Sequence, residues 1–346
     1  MSKALYRKYR SKKLEEVIGQ KHITDILANA LETGRISHAY LFTGPRGVGK
    51  TSVARILAYE INKIKYDDKS TCLDIIEIDA ASNNSVEDIR DLREKVQIAP
   101  VASVKKIYII DEVHMLSKSA FNALLKTLEE PPEHIVFILA TTNVEKLPAT
   151  IISRTQRFSF RPICPDDTVK HLAHIAKEEN IKISDDALKL IARRSEGSFR
   201  DSISLLDQLS GLFDENDGNE ITSELIENIL GLAPDEIINN IISAVEDKNL
   251  SVIVELLNKT YNEGVDSQIL ARQLTEKISD LITSIRTDDT DRRFLLFHYS
   301  GLYGSSMCAK QYIRVVLDKE RILHIAGRMI LGEIQGREDM PIVLDL

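Results

Sequence analysis

Apolar positions over the first 160 residues switch repeatedly between a helical and a strand period. Ile23, Ile26, Leu27, Ala30 and Leu31 recur on one helical face, and a solid apolar run at 39–42 follows. Val53, Ile56 and Leu57 then return to the helical spacing, in a helix ending near Ile61. Residues 74–79 alternate as a strand does, and Ser85-Val86-Glu87-Asp88 has the form of a capping box opening a helix through about Val96, with Pro100 just beyond. A strand over 106–110 ends in Asp111-Glu112. Ser117 caps a helix carrying Phe121, Leu124, Leu125 and Leu128, stopped by Pro131-Pro132. The strands 135–140 and 156–160 close the series, with a short helix after Pro148 between them. Strands alternating with helices at this spacing predict a parallel α/β sheet covered on both faces.

From Asp166 the pattern turns wholly helical. Helices are expected near 166–179, 185–195, 199–210 and 222–230, broken by Gly197, Gly211 and the polar loop 214–219. Beyond Pro234 further helices are expected at 236–246, 251–258 and 268–286, with later ones ending before Pro341. Pro162 and Pro234 mark boundaries, so the chain divides into 1–162, 163–232 and 233–346.

Length and charge narrow the function classes. At 346 residues the chain suits two or three domains, and 43% hydrophobic content supports real cores. A net charge of -8 leaves nucleic-acid contact to a local basic surface. Cys72, Cys164 and Cys308 lie far apart without a C-x-x-C pair, which offers neither a disulfide framework nor a cysteine zinc site and fits a reducing cytoplasm. No basic-then-apolar leader opens the chain, and no apolar run approaches the ~18 residues that cross a bilayer. The expectation is a cytoplasmic protein without membrane contact. Lys3, Arg7, Lys8, Arg10, Lys12 and Lys13 are interleaved with Tyr6 and Tyr9 at the start. Two readings compete there: a solvated terminus, or a segment that packs Leu5, Tyr6 and the Val17-Ile18-Gly19-Gln20 turn against the base of a nucleotide. The residues alone favour the solvated terminus.

The most informative stretch is Gly44-x-x-x-x-Gly49-Lys50-Thr51, a glycine-rich phosphate loop between a strand and a helix. Gly44, Gly47 and Gly49 let the backbone turn successive N–H groups toward an anion, and the helix opening at Lys50 adds its positive end. Lys50 is suited to β- and γ-phosphates, and the Thr51 hydroxyl to Mg²⁺. Behind an intact loop, Asp111 is assigned to the metal and Glu112 to the attacking water. A polar residue at the tip of the strand 135–140, within Thr141-Thr142-Asn143, sits where it could orient water; strand-end turn chemistry is the competing reading. Arg200 occupies the first turn of its helix, where the dipole disfavours a cation and an external anion is a reasonable partner. Arg90, Arg93 and Lys95 share the polar side of the expected helix ending near Val96, as a solvated face or a DNA-tracking one.

These residues together resemble a family: the ATPase subunits of the bacterial clamp loader, the gamma/tau subunits of DNA polymerase III, within the AAA+ superfamily. The resemblance rests on His38-Ala39-Tyr40-Leu41-Phe42 with the phosphate loop, on Glu77-Ile78-Asp79-Ala80-Ala81-Ser82, and on the run from Ile110-Asp111-Glu112-Val113-His114-Met115 through Leu128-Glu129-Glu130-Pro131-Pro132. It covers residues 4 to 210 firmly and the last third loosely. The resemblance implies an α/β P-loop core with a parallel sheet, then an all-α lid and an all-α collar that joins five subunits. It implies ATP and Mg²⁺ as ligands, with Gly44, Pro45, Arg46, Gly47, Val48, Gly49, Lys50, Thr51 and Ser52 around the phosphates and Tyr6, Arg7, Val17 and Ile18 on the nucleotide side. Thr51 and Asp111 would hold the Mg²⁺. Thr142 matches the sensor 1 position, Arg200 sensor 2, and Arg154 the arginine finger that acts on a neighbouring subunit. The implied partners are delta- and delta-prime-type subunits, further copies of the chain, the sliding clamp and primer-template DNA, and the resemblance is what favours Arg90, Arg93 and Lys95 as DNA contacts.

Departures from the family pattern carry expectations of their own. A four-cysteine module usually follows the phosphate-loop helix, but here that interval is only 62–73 with Cys72 alone, so zinc is not expected. Thr155 stands after Arg154 where cysteine is usual, and Ser11 where proline is usual. The sequence ends after the collar, so the helicase- and polymerase-binding extensions of the long form are expected to be missing.

Overall fold

Five strands form one parallel sheet in the computed structural model: β1 (Ala39–Thr43), β2 (Ile75–Asp79), β3 (Lys106–Asp111), β4 (Ile135–Thr141) and β5 (Gln156–Ser159), in the order β2-β3-β4-β1-β5. The structure describes residues 4–66, 72–82, 96–211, 220–247 and 249–284. The expected helix ending near Val96, with Arg90, Arg93 and Lys95, and every helix expected after 284 lie outside the described residues.

The central strands are apolar on both faces because both faces are covered. In β4, Val136, Ile138 and Ala140 point into one core with Tyr40, Phe42, Ile107 and Ile109. The alternate residues Ile135, Phe137 and Leu139 join Leu41, Tyr108 and Ile110 in the other. The helices Lys21–Glu32 and Lys50–Ile61 close the first face, and Lys118–Glu129 closes the second. Each fully buried Ile, Leu or Phe in these layers contributes about 1.5–3 kcal/mol relative to exposure, so β3, β4 and β1 anchor the domain. β2, at one edge, is only half-buried. One expectation shifts at the first helix: Ile23 and Leu27 are buried with Thr24 between them, while Ile26 is 52% exposed. The buried stripe is narrower than the apolar pattern suggested.

Because all five strands run the same way, their carboxyl ends share one edge of the sheet. The phosphate loop leaves β1 there, Asp111 and Glu112 follow β3, and Thr141-Thr142 ends β4, which lies between β3 and β1. Ligands of open α/β sheets bind along this edge.

Helices Pro165–Glu178, Asp185–Arg194 and Phe199–Ser210 pack together around Leu172, Ile175, Leu188, Ile191, Leu206 and Leu209. Ser184 and Ser198 cap the second and third, their hydroxyl oxygens accepting from the Ala187 and Asp201 N–H groups at 3.3 Å each. Chain contacts divide the protein into two compact units, Met1–Thr222 and Ser223–Leu346. The sheet and these three helices belong to the first. The second, taken by itself, contains helices Ser223–Leu230, Asp235–Glu246, Leu250–Asn262 and Ser267–Ser284. Ile237, Ile238, Ile241, Leu270 and Leu274 form its apolar core, and the buried Gln273 amide bonds both backbone groups of Ala233, at 3.0 and 2.8 Å. Among the described residues, no helix is long and apolar enough to cross a membrane.

Candidate active site

The loop between β1 and the helix Lys50–Ile61 takes the left-handed backbone its glycines permit, with φ of +140° at Gly44, +75° at Gly47 and +99° at Gly49. Two of these glycines also make room. A Cβ on Gly44 would lie 2.4 Å from the Phe160 carbonyl oxygen, and one on Gly47 would lie 1.9 Å from the Ser198 hydroxyl. Gly47 is therefore where the loop meets the three-helix layer, and its carbonyl accepts from the Arg200 N–H at 3.4 Å. Gly47→Ala is expected to lower the melting temperature by an amount equivalent to about 1–3 kcal/mol, the range for forced left-handed backbone, and to weaken nucleotide binding; thermal denaturation with and without nucleotide checks both.

Lys50 is almost entirely buried, and its ammonium donates to the Gly44 and Pro45 carbonyls at 2.8 and 2.6 Å. Burial lowers its pKa from the ordinary lysine value, against the opposing pull of Glu112 and Asp111. A desolvated cation in a glycine-rich loop, at the N-terminal end of a helix, is built for an anion. Next to it the Thr51 hydroxyl donates to Asp111 Oδ2 at 2.7 Å, and the Glu112 N–H donates to Asp111 Oδ1 at 2.9 Å. Both carboxylate oxygens of Asp111 are thus fixed. The Thr51–Asp111 pair supplies adjacent hard oxygens of the kind Mg²⁺ takes alongside substrate phosphates, so the residues present fit that ion.

Glu112 stands in the left-handed region at φ +47°, an unusual place for a residue with a Cβ. The turn that puts it there swings its carboxylate toward the tip of β4. The Thr142 hydroxyl and N–H donate to Glu112 Oε2 at 3.1 and 3.3 Å. His114 Nδ1 lies 3.4 Å from the same oxygen and 2.9 Å from the Thr141 hydroxyl. At the β4 tip Thr141 makes the turn, its hydroxyl bonding Asn143, while Thr142 bonds the Glu112 carboxylate.

A cleft of about 200 Å³ runs from these groups to the N-terminal segment. Arg46, Gly47, Val48, Gly49, Lys50, Thr51, Ser52, Asp111 and Glu112 line its phosphate-loop end, and Tyr6, Val17, Ile18 and Arg200 line the other. The solvated-terminus expectation therefore fails for the first residues described. Leu5 is buried, Tyr6 and Tyr9 face the cleft, and the Arg200 guanidinium stands 5.2 Å over the Tyr6 ring. Arg7 is one step removed, donating to the Tyr6 hydroxyl at 3.1 Å. Arg154 is elsewhere. It follows the short helix Ala149–Ile152, bonded to the Thr150 carbonyl at 3.0 Å and to Glu129 at 2.8 Å, and does not line this cleft.

The cleft also takes residues the sequence did not single out: His171, Phe199 and Ile203. Phe199 and Ile203 sit four apart on one helix and read as ordinary core positions. His171 packs against the Phe199 ring at 5.1 Å, and burial together with the nearby His174 lowers its pKa.

Comparison with known proteins places this geometry. The family model "DNA polymerase III, delta subunit" matches residues 19–164, and "DNA polymerase III clamp loader subunit, ATPase lid domain" matches 167–209. The DNA polymerase III subunit tau of Bacillus subtilis is 44% identical over 293 residues, covering 81% of this chain and 51% of that protein. The Escherichia coli subunit tau is 42% identical over 77% of this chain and 43% of its own length. The shorter DNA polymerase III subunit gamma of Buchnera aphidicola is 39% identical, covering 81% of this chain and 80% of that protein. The chain thus spans about half the length of the first two relatives and four fifths of the third. Among solved structures, the Thermotoga maritima RuvB Holliday junction branch migration motor superposes with a TM-score of 0.53 at 21% identity, over 77% of this chain and 91% of that one. At that identity the likeness concerns the fold alone.

Proposed function

Because the chain belongs to the gamma/tau family of DNA polymerase III clamp-loader subunits, we propose that it is an ATP-hydrolysing subunit of a bacterial clamp loader. It assembles with delta- and delta-prime-type subunits and further copies of itself into a five-subunit assembly, opens a sliding clamp, and loads it onto primer-template DNA. One observation carries the catalytic part of this reading. A buried Lys50, the Thr51–Asp111 pair and Glu112 held by Thr142 converge on a single edge of the sheet, with Arg200 across the cleft.

Each side chain has a role in this reading. The loop N–H groups and Lys50 bind the phosphates of ATP, and Arg200 approaches them from the lid. Thr51 and Asp111 hold Mg²⁺, which supplies neutralising charge to the phosphate oxygens when bound. Glu112 accepts the proton of the attacking water, and Thr142 keeps the carboxylate aimed. Tyr6, Val17 and Ile18 form the nucleoside end, and Arg154 serves the site of a neighbouring copy. Arg90, Arg93 and Lys95 remain the candidate DNA contacts on the family resemblance. Zinc has no place in this scheme.

Two measurements test the proposal. Lys50→Ala is expected to weaken ATP binding by the chain about 10- to 100-fold, from the roughly 1.5–3 kcal/mol that hydrogen bonds to charged groups contribute. In the complex reconstituted with delta- and delta-prime-type partners, clamp and primed DNA together are expected to stimulate ATP turnover well above the basal rate. Turnover indifferent to both, or assembly of the chain by itself into a closed hexamer, overturns the clamp-loader reading.

A further inference from the structure

Glu179 sits at the C-terminal end of the helix Pro165–Glu178, where the helix dipole disfavours a carboxylate. Its partners explain it. The Lys8 ammonium and the Tyr9 hydroxyl both donate to Glu179 Oε1, Lys8 at 2.6 Å. One turn earlier, the Leu5 N–H donates to Asp207 Oδ2 at 3.1 Å on the helix Phe199–Ser210. So the N-terminal helix Leu5–Lys8 is fastened to the lid helices by two carboxylates. The other end of the same segment is fastened to the sheet layer. Leu14 is buried in the core against the phosphate-loop helix, and Glu16 holds the Lys12 N–H at 2.7 Å.

Between these two attachments the segment crosses the cleft and presents Tyr6, Tyr9, Arg10 and Ser11 to it. We infer that residues 5–14 form a strap from the lid to the core across the nucleotide cleft, and that Glu179 is a positioning residue which sets nucleotide affinity through Tyr9 without touching the nucleotide. The strap also meets Arg200 of the lid, whose guanidinium rests over the Tyr6 ring at 5.2 Å. Lid position and the nucleoside end of the cleft are then one variable. The Glu179 carboxylate is held below its usual pKa by Lys8 and Tyr9, and the Tyr9 hydroxyl is pushed up to about 12 by burial and by Glu179, as a maintained contact between these groups requires.

This inference rests on the reading of the cleft as an ATP site, so the test separates the two. ATP affinity is measured by equilibrium titration of the full chain in the wild type, Glu179→Ala, Glu179→Gln, Tyr9→Phe and the Tyr9→Phe/Glu179→Ala pair. Trypsin cleavage after Lys8 and Arg10 is followed in each, with and without ATP. Glu179→Ala is expected to weaken ATP binding about five- to tenfold, the effect of one ordinary hydrogen bond, and to speed cleavage of the strap at an unchanged melting temperature. Glu179→Gln, which keeps an acceptor, recovers part of both. The two single changes are expected to be non-additive, as for groups in contact. Unchanged affinity with unchanged cleavage, or strict additivity, overturns the positioning role. Failure of the wild type to bind ATP overturns the reading of the cleft instead, and cleavage of the nucleotide-free chain then still decides whether Glu179 holds the strap.

Discussion

Glu112→Gln is expected to leave ATP·Mg²⁺ binding close to that of the wild type while hydrolysis by the assembled complex falls about 10²- to 10⁴-fold, the usual contribution of a positioned general base. The geometry separates the two effects. Phosphate and metal binding depend on Lys50, Thr51 and Asp111, and Asp111 is oriented by the Thr51 hydroxyl and by the backbone N–H of residue 112, which the substitution keeps. The side chain of Glu112 is bonded instead to Thr142 on β4 and lies against His114. A glutamine oxygen accepts the same two Thr142 hydrogen bonds, so the left-handed turn at φ +47° and its packing survive. What is lost is the capacity to take a proton. ATP titration and single-turnover hydrolysis of the reconstituted complex read the two quantities separately; turnover within twofold of the wild type removes Glu112 from the role of base.

The parts of this site legible in the sequence are those fixed by local backbone chemistry. The loop from Gly44 to Thr51 announces itself because the glycines are needed for the backbone, as Gly44 against Phe160 and Gly47 against Ser198 show. Strands β1, β3 and β4 were readable to within about a residue because burial on both faces leaves an unbroken apolar run between polar turns. The second and third lid helices begin at 185 and 199, where their apolar spacing put them. What escaped depends on which face of an element meets which other element. His171, Phe199 and Ile203 have the helical spacing of core residues, and nothing in that spacing says that they turn toward a cleft. Glu179 and Lys8 are 171 residues apart, so their pairing exists only once the lid folds back over the N-terminal segment. The same holds for Tyr6 and Arg200: a basic, aromatic start reads as a solvated end until its partners are in place. Ile26 errs the other way, an apolar residue at helical spacing that the neighbouring layer does not reach.

Arg154→Ala is expected to have the largest effect in the assembled complex and almost none in the isolated chain. In the complex, DNA-stimulated hydrolysis should fall about 10³- to 10⁵-fold, the range for arginine fingers, equivalent to roughly 4–7 kcal/mol of barrier. ATP binding by the chain alone should be unchanged, since Arg154 does not line the chain's own cleft. Its guanidinium is about a third exposed and rests on the Thr150 carbonyl and on Glu129, itself about half exposed. Exposed pairs of this kind contribute about 0–1 kcal/mol, so transferring the guanidinium to a neighbour's phosphates meets little resistance, and the exchange gains a charge-assisted, bidentate partner in a drier site. Thr155, where the family usually has cysteine, bonds the Ile151 carbonyl at 3.0 Å and leaves the arginine's own contacts intact. The discriminating experiment reconstitutes the complex with the variant and measures ATP affinity and turnover with clamp and primed DNA. Undiminished DNA-stimulated turnover would place the finger on another residue, whereas lost turnover with intact ATP binding assigns to Arg154 the group that each cleft receives from its neighbour.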